Sequence, residues 1–279
     1  YERVKQALRR GLGSPLDRDE LVAQTQARAR ELLLERGISA EAAARVWSRL
    51  TSAYFLRHAA QEVAWHTAEI AARDPADATP LVAVAEHPGR GGATVVLVVT
   101  QGRRHSFARA TAALDQAGLS IQDARITPTA DGGSLDTYHV LEDTGQPIVD
   151  RDRMAGIEGK LRAALAGRGA GAPAVTRRVP RQVRMFTTPT QVNFSADAEN
   201  GRTVVEVIAG DRPGLLSEIG QVFWEQDLEL HGAKIMTVGE RAEDVFTITD
   251  SKGRALEPAR AAALAEALVQ ALDARVAAA

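Results

Sequence analysis

The sequence predicts an α+β protein in which a helical N-terminal segment precedes two copies of one small domain. Residues 1–78 contain few β-branched residues and several helix-capping signals, which is typical of helices joined by short breaks. From residue 79 onward, short Val-rich strands alternate with helices. This part repeats itself at an offset of 109 residues, so that Thr79-Pro80 matches Thr188-Pro189. Two copies of one domain are the economical explanation.

The repeat sets the predicted domain boundaries. We expect a helical neck over residues 1–78, a first domain over 79–167, a linker over 168–187 and a second domain over 188–279. The chain begins at Tyr1 rather than Met, with a helix already under way. The neck is therefore compatible with being the tail of a missing domain in a longer protein.

Capping residues and apolar spacing define the helices of the neck. A helix over about residues 16–36 is expected to end at Gly37, which can adopt the left-handed conformation there. Ser39 is expected to cap the next helix. The apolar side chains of that helix recur at helical spacing and are predicted to form a core, namely Val46, Trp47, Leu50, Tyr54 and Phe55. A last short helix is expected to end at Asp74-Pro75.

Each repeat copy reads as strand, strand, helix, strand, strand, helix. In the second copy these elements are expected at residues 190–196, 203–209, 215–226, 229–238, 244–249 and 258–276, with a hairpin at 239–242. A ferredoxin-like βαββαβ unit has its last strand antiparallel to its first. The extra leading strand of each copy can occupy that position, so we expect two circularly shifted ferredoxin-like units. Pairing the two sheets side by side would cover an edge of each.

The linker contains two further patterns. Residues 167–173 are rich in glycine and alanine, which is typical of a flexible connection. Arg178, Arg181 and Arg184 then form a small basic run, for which a solvated edge is favoured over an acidic partner. Residues 182–186 could add a strand to either sheet.

Composition excludes several classes of function. A net charge of −2 and a pI near 6.4 give no general reason to expect a nucleic acid or membrane partner. No apolar run reaches the length of a membrane span or of a signal peptide core, so we expect a cytoplasmic location. The absence of cysteine excludes disulfides, thiolate zinc sites and a cysteine nucleophile. His58 and His66 could supply at most two metal ligands, and a structural role is favoured.

The most distinctive turn of the chain joins a strand to a helix in the second copy. Its residues are Asp211, Arg212, Pro213, Gly214, Leu215 and Leu216. Pro213 suits the first helical turn, and Gly214 allows close approach to the backbone. The free amides of the helix N-terminus can hold a carboxylate. Pro-Gly can equally be only a sharp corner, and residue types alone leave both interpretations open.

At this point the second copy resembles an ACT domain. The sequence GDRPGLLSEIGQVFWEQDLELHGAKIMTVGERAEDVFTITD at residues 210–250 is similar to the last ACT domain of the bacterial PII uridylyltransferase/uridylyl-removing enzyme family. In the neck, YFLRH at residues 54–58 and EVAWHT at 62–67 are similar to what precedes the first ACT domain there. The neck followed by two ACT copies is a specific combination.

The resemblance implies a regulatory function. In that family one domain uridylylates the PII signal protein, a hydrolase domain removes the UMP, and the ACT pair is understood to sense glutamine. The implied effector site is the turn at Asp211, Arg212, Pro213, Gly214, Leu215 and Leu216. The implied partners are glutamine or another small amino acid, PII through the parent enzyme, and the two ACT copies with each other.

Neither catalytic domain of that family is expected within this chain. Gly13-Ser14 with Asp17-Arg18-Asp19 imitates the transferase motif, but the spacing is too short and the aspartates precede a helix. The hydrolase needs a His-Asp dipeptide, which the sequence lacks. We therefore expect no catalytic residues, no metal site and no cofactor in this chain, whereas the parent enzyme would use magnesium.

The two copies differ at the turn. The first copy has Gly102, Arg103, Arg104, His105, Ser106 and Phe107 at the positions of the six turn residues. His105 replaces Gly214 and would fill the space that a ligand needs, so we expect the first copy to have lost its site. For glutamine, Asp211 could meet the α-ammonium. Candidates for its side-chain amide are Gln122, Asp123 and His231.

Two other functions compete with amino-acid sensing. An ACT-type structural or dimerisation module would bind no ligand at either turn. The same sheet topology also occurs in RNA-binding domains, but these stack bases on aromatic residues of the central strands. Aromatic residues make up only 4% of this chain, and Val204 and Glu206 occupy one central strand. RNA binding is therefore the weakest of the three hypotheses.

Overall fold

A computed structural model describes residues 15–74, 76–86, 92–102, 105–167, 188–198, 200–238 and 241–278. Contacts divide the chain into two units. The first contains the helical neck up to Asp77 together with Thr129–Asp131, and the second contains both repeat copies. No described helix is both long and apolar enough to cross a membrane.

The neck contains four described helices, α1 (Pro15–Glu35), α2 (Ala40–Trp47), α3 (Ser52–Arg57) and α4 (Ala60–Ala71). Gly37 follows α1 with a φ of 73°, as its left-handed role requires. The Ser39 side chain accepts a hydrogen bond from the amide of Ala42 at 3.2 Å and caps α2. The prediction that one helix carries both Val46 and Phe55 was wrong, because residues 48–51 separate α2 from α3.

Aromatic and polar side chains share the core of the neck. The hydroxyl of Tyr54 lies 2.8 Å from Nδ1 of His66, and Nδ1 of His58 lies 3.0 Å from the carbonyl of Tyr54. The indole of Trp47 donates to the hydroxyl of Thr67 at 2.8 Å. Both histidines are buried, so they lie within a hydrogen-bonded network around Tyr54.

The first repeat copy folds into one antiparallel sheet with two helices. Its elements are β1 (Leu81–Glu86), β2 (Thr94–Thr100), α5 (Ser106–Gln116), β3 (Leu119–Pro128), β4 (Ser134–Glu142) and α6 (Arg151–Ala166). The strand order is β1-β2-β4-β3. The leading strand β1 lies beside β2, at the edge where the last strand of a βαββαβ unit would lie.

The second copy repeats this arrangement. Its elements are β5 (Gln191–Asp197), β6 (Arg202–Gly210), α7 (Leu215–Glu225), β7 (Leu228–Lys234), β8 (Thr237–Val238), β9 (Arg241–Asp250) and α8 (Pro258–Ala278). The strand order is β5-β6-β9-β7, with β8 paired to β9. The predicted fold class is therefore confirmed, with a helical segment followed by two ferredoxin-like domains.

One strand differs from its prediction, and several predicted features cannot be compared with the structure. The strand predicted over residues 229–238 is interrupted, because β7 ends at Lys234 and the short β8 begins at Thr237. Several sequence features lie outside the described residues, namely Gly13-Ser14, Arg103, Arg104, the linker over 168–187 with Arg178, Arg181, Arg184 and the strand at 182–186, and Gly239-Glu240 of the predicted hairpin.

The two repeat copies pack against each other through their first helices. A Cβ placed on Gly220 of α7 would lie only 2.9 Å from the Cα of Ala108 in α5, so the helix backbones approach closely. The rings of Phe107 and Phe246, one from each copy, meet edge to face at 6.0 Å. The edge strands β3 and β7 also lie next to each other, although each stays in its own sheet within the described part of the chain.

Candidate effector-binding site

The turn between β6 and α7 presents a helix N-terminus. Gly214 has a φ of 83°, a left-handed conformation that glycine adopts without strain. The amide of Glu218 donates to the carbonyl of Gly214 at 3.0 Å, which closes the first helical turn. The preceding amides of Leu216 and Ser217 donate to no described residue. They are the orphan donors that favour an anion at this end of the helix.

A cavity of about 240 Å³ adjoins this turn. All six predicted turn residues line it, together with Ser217, Ile235, Ala242 and Asp244 of the second copy. The first copy supplies the opposite wall with Thr111, Asp115, Leu119, Ser120, Ile121 and Asp143. The cavity therefore lies between the two copies and is formed by both of them.

Two carboxyl groups of the second copy face this cavity with raised pKa values. Burial raises the pKa of Asp244 to about 7, and the nearby charge of Asp211 acts in the same direction. Burial also raises the pKa of Asp211, against the lowering effect of a hydrogen bond from the backbone of Arg212. A cation beside the two carboxyl groups would relieve the cost of ionising them.

The guanidinium of Arg212 is held within the second copy. It donates to the carboxylate of Glu218 through two nitrogens, at 2.9 and 2.5 Å, and to the carbonyl of Leu272 in α8 at 3.1 Å. Its side chain is 2% exposed. Arg212 thus fixes the turn to α7 and α8. It lines the cavity, but its guanidinium is engaged by these hydrogen bonds within the second copy.

The matching turn of the first copy adjoins a much smaller cavity. His105 occupies the position of Gly214 and has a φ of 65°, so the left-handed backbone is retained with a bulky side chain. Its ring stacks on Trp224 at 3.8 Å, and the guanidinium of Arg109 lies 5.0 Å from the same indole. The cavity beside these rings measures about 20 Å³.

These two cavities are equivalent positions of the repeat. At the offset of 109 residues, His105 and Trp224 correspond to Gly214 and Asp115, which line the larger cavity. The turn therefore borders an open cavity in the second copy and a pair of stacked rings in the first copy.

The residues proposed to meet a glutamine side chain do not line the larger cavity. Gln122 is exposed and donates to Ser120 at 2.9 Å, while Asp123 lies against Arg125 and His139. His231 lies 2.8 Å from the hydroxyl of Thr249. Sequence reasoning missed the wall that the first copy does supply, which includes Asp115 and Ser120. Only the packing of α5 against α7 identifies it.

The fold defines the class of protein as a helical neck followed by two ferredoxin-like domains. The family described as "Uridylyltransferase GlnD fifth domain" matches residues 17–69, in the neck. The bifunctional uridylyltransferase/uridylyl-removing enzyme of Pseudomonas putida (strain W619) is 42% identical over 98% of this chain. That of Pseudomonas aeruginosa (strain LESB58) is 44% identical over 98% of it.

Over nearly its whole length this chain is similar to the C-terminal part of bifunctional uridylyltransferase/uridylyl-removing enzymes. It spans 31% of the length of each of these two relatives. A crystal structure of aspartate kinase from Synechocystis shares 12% identity with a TM-score of 0.37, over 76% of this chain and 32% of that one.

Proposed function

We propose that this chain is the glutamine-sensing regulatory region of a bifunctional enzyme that uridylylates and deuridylylates the PII protein. The contrast between the two equivalent cavities carries this proposal. One of them is open to about 240 Å³ beside Gly214, whereas the other is reduced to about 20 Å³ by His105 and Trp224. A purely structural repeat gives no reason for keeping one of two equivalent spaces open.

The chemistry of the open cavity suits a small amino acid. Its volume lies below the roughly 300–1,000 Å³ of pockets for drug-sized ligands. The amides of Leu216 and Ser217 offer donors to an α-carboxylate, and the carboxyl group of Asp211 offers an acceptor to an α-ammonium.

The wall from the first copy suits the side-chain amide of glutamine. The buried carboxyl group of Asp115 can accept from the amide nitrogen, and the hydroxyl of Ser120 can donate to the amide oxygen. Glutamate would bring a third carboxylate beside Asp115 and Asp143, which disfavours it by charge repulsion.

The alternative function is an ACT-type module that binds no ligand. The close helix packing at Ala108 and Gly220 favours a structural role for the α5 and α7 contact in either case. It leaves the open cavity beside Gly214 unexplained, so the sensing function is the stronger hypothesis.

Isothermal titration calorimetry of the purified chain against a panel of amino acids tests the proposed function. We expect glutamine to bind with one site per chain, and glutamate and uncharged amino acids without a side-chain amide to bind at least tenfold more weakly. Binding of none of the panel would contradict sensing and support the structural module.

A further inference from the structure

Asp244 is part of the wall that the second copy gives to the open cavity. It is on β9 opposite Val207 of β6, and it is 1% exposed. Its Oδ1 accepts a hydrogen bond from the amide of Met236 at 3.3 Å. Asp244 also lines the cavity, so its carboxyl group can be reached from there. A buried carboxyl group that borders a cavity is favoured by any ligand that donates hydrogen bonds to it.

The first copy has the same residue in the same position with different neighbours. Asp136 lies on β4 opposite Val98, and Val98 is equivalent to Val207 in the repeat. The hydroxyl of Ser134 donates to Asp136, and the hydroxyl of Tyr138 lies against the same carboxyl group. The first copy therefore provides two hydroxyl groups around its buried aspartate.

The second copy has lost both hydroxyl groups. Ala242 stands where the first copy has Ser134, and Phe246 stands where it has Tyr138. Ala242 lines the open cavity, so the missing hydroxyl leaves space beside Asp244 on that side. The buried carboxyl group is present in both copies, whereas apolar groups stand in the second copy at the positions of Ser134, which donates to Asp136, and of Tyr138.

We propose that Asp244 is an effector-binding residue, which receives the α-ammonium of the bound amino acid together with Asp211. This inference rests on the proposed function and adds a residue to its site. Two neighbouring carboxyl groups provide a charge-assisted acceptor for one ammonium. The orphan amides of α7 take the carboxylate at the other end of the same zwitterion. A free α-amino group thereby increases the affinity of a ligand for this site.

The test compares glutamine with glutaramate, which is glutamine without its α-amino group. We expect the parent chain to bind glutamine at least about tenfold more tightly than glutaramate in calorimetry. Asp244→Asn should lose about tenfold or more in glutamine affinity and nothing in glutaramate affinity. The matched control Asp136→Asn should bind both compounds as the parent does, because Asp136 does not line the open cavity.

A second measurement uses the parent chain alone, in case Asp244→Asn does not fold. The other titratable groups of the described residues that line the cavity are Asp115 and Asp143 on the opposite wall and Asp211 and Arg212 on the same wall as Asp244. Since the pKa of Asp244 is raised to about 7, glutamine affinity should rise with pH between about 5.5 and 7.5, by up to about tenfold per unit. Glutaramate affinity should not rise over the same interval.

The outcomes separate this inference from the proposed function. Equal glutamine affinity of Asp244→Asn and the parent, or equal pH profiles for glutamine and glutaramate, would overturn the inference alone. Absence of glutamine binding by the parent chain would overturn the proposed function and the inference with it.

Discussion

At the scale of single residues, Gly214 and His105 show one backbone conformation used in two ways. Both have a positive φ, at 83° and 65°. Glycine adopts this region freely, whereas a side chain costs about 1–2 kcal/mol there. An aromatic stack of the kind that His105 makes with Trp224 returns about 0.5–1.5 kcal/mol. The histidine is therefore tolerated at the first turn because its ring has a partner.

The same comparison supplies a variant for the open site. Gly214→His introduces the residue that the first copy already accommodates at this φ, so the turn should keep its backbone. The imidazole should block the approach of a carboxylate to the amides of α7. Losing one charge-assisted hydrogen bond costs about 1.5–3 kcal/mol, so calorimetry should show about a ten- to hundredfold loss of glutamine affinity.

The control for Gly214→His is His105→Ala, which changes the other turn. It should leave glutamine affinity within about threefold of the parent, because His105 does not line the open cavity. The opposite pattern, with His105→Ala losing glutamine and Gly214→His retaining it, would assign the effector to the first copy.

Asp136 is predicted to make stability depend on pH. Burial raises the pKa of this carboxyl group to about 7, whereas an unfolded aspartate titrates near about 3.9. Between these values the folded chain retains a proton that the unfolded chain has released, so this contribution to stability is present below about pH 4 and lost as the pH rises to 7. The loss has a limiting slope of about 1.4 kcal/mol per pH unit.

Asp136→Asn removes this titration. Urea unfolding from pH 4 to pH 8 should show the variant gaining stability relative to the parent up to about pH 7, with a constant difference above it. Two curves that stay parallel over the whole interval would show that Asp136 ionises normally in the folded chain.

At the scale of secondary-structure elements, the crossing of α5 and α7 depends on the absence of one side chain. Gly220→Ala would place a Cβ 2.9 Å from the Cα of Ala108, so the helices must separate. Overpacking of this kind costs about 1–3 kcal/mol, which offsets or exceeds the gain of about 1 kcal/mol in helix propensity. We expect Gly220→Ala to lower the thermal midpoint.

A matched substitution separates packing from propensity. Gly159 lies in α6, and a Cβ placed on it would meet no atom within 4 Å. Gly159→Ala should therefore raise the thermal midpoint through helix propensity alone. If Gly220→Ala stabilised the chain as much as Gly159→Ala, the described helix contact would be looser than its geometry indicates.

Elements that depend on local pattern could be predicted, and those that depend on distant contacts could not. The strands of both copies follow from Val-rich alternation, and Ser39 and Gly37 correctly marked helix ends. The break between α2 and α3 was missed because apolar spacing continues across it. The interruption after β7 was missed because the amide of Met236 donates to Asp244, eight residues away.

The candidate site divides in the same way. Pro213-Gly214 marks the turn in the sequence, because these residues have local conformational preferences. The wall formed by Asp115 and Ser120 follows from the packing of one copy on the other. Asp244 lies within an ordinary strand pattern, and only comparison with Asp136 at the equivalent position distinguishes it.

At the scale of the whole molecule, we predict that this chain alone has no uridylyl chemistry. The sequence lacks a His-Asp dipeptide, and its Gly-Ser and Asp-x-Asp pairs have the wrong spacing for a transferase. Incubation with PII protein, UTP and magnesium should give no modified PII, and incubation with uridylylated PII should release no UMP. Turnover of either kind, free of contaminating enzyme, would contradict this prediction.

The cavity that both copies line also couples ligand concentration to the cohesion of the domain pair. Under the proposed function, an amino acid that touches both walls binds only while α5 and α7 are packed together. Its binding therefore opposes separation by RT ln(1 + [L]/Kd), about 2.7 kcal/mol at a hundredfold excess over Kd. Under this proposal, the concentration of the amino acid sets how strongly the two copies hold together. Neighbouring parts of a longer enzyme can respond to that strength without contacting the ligand.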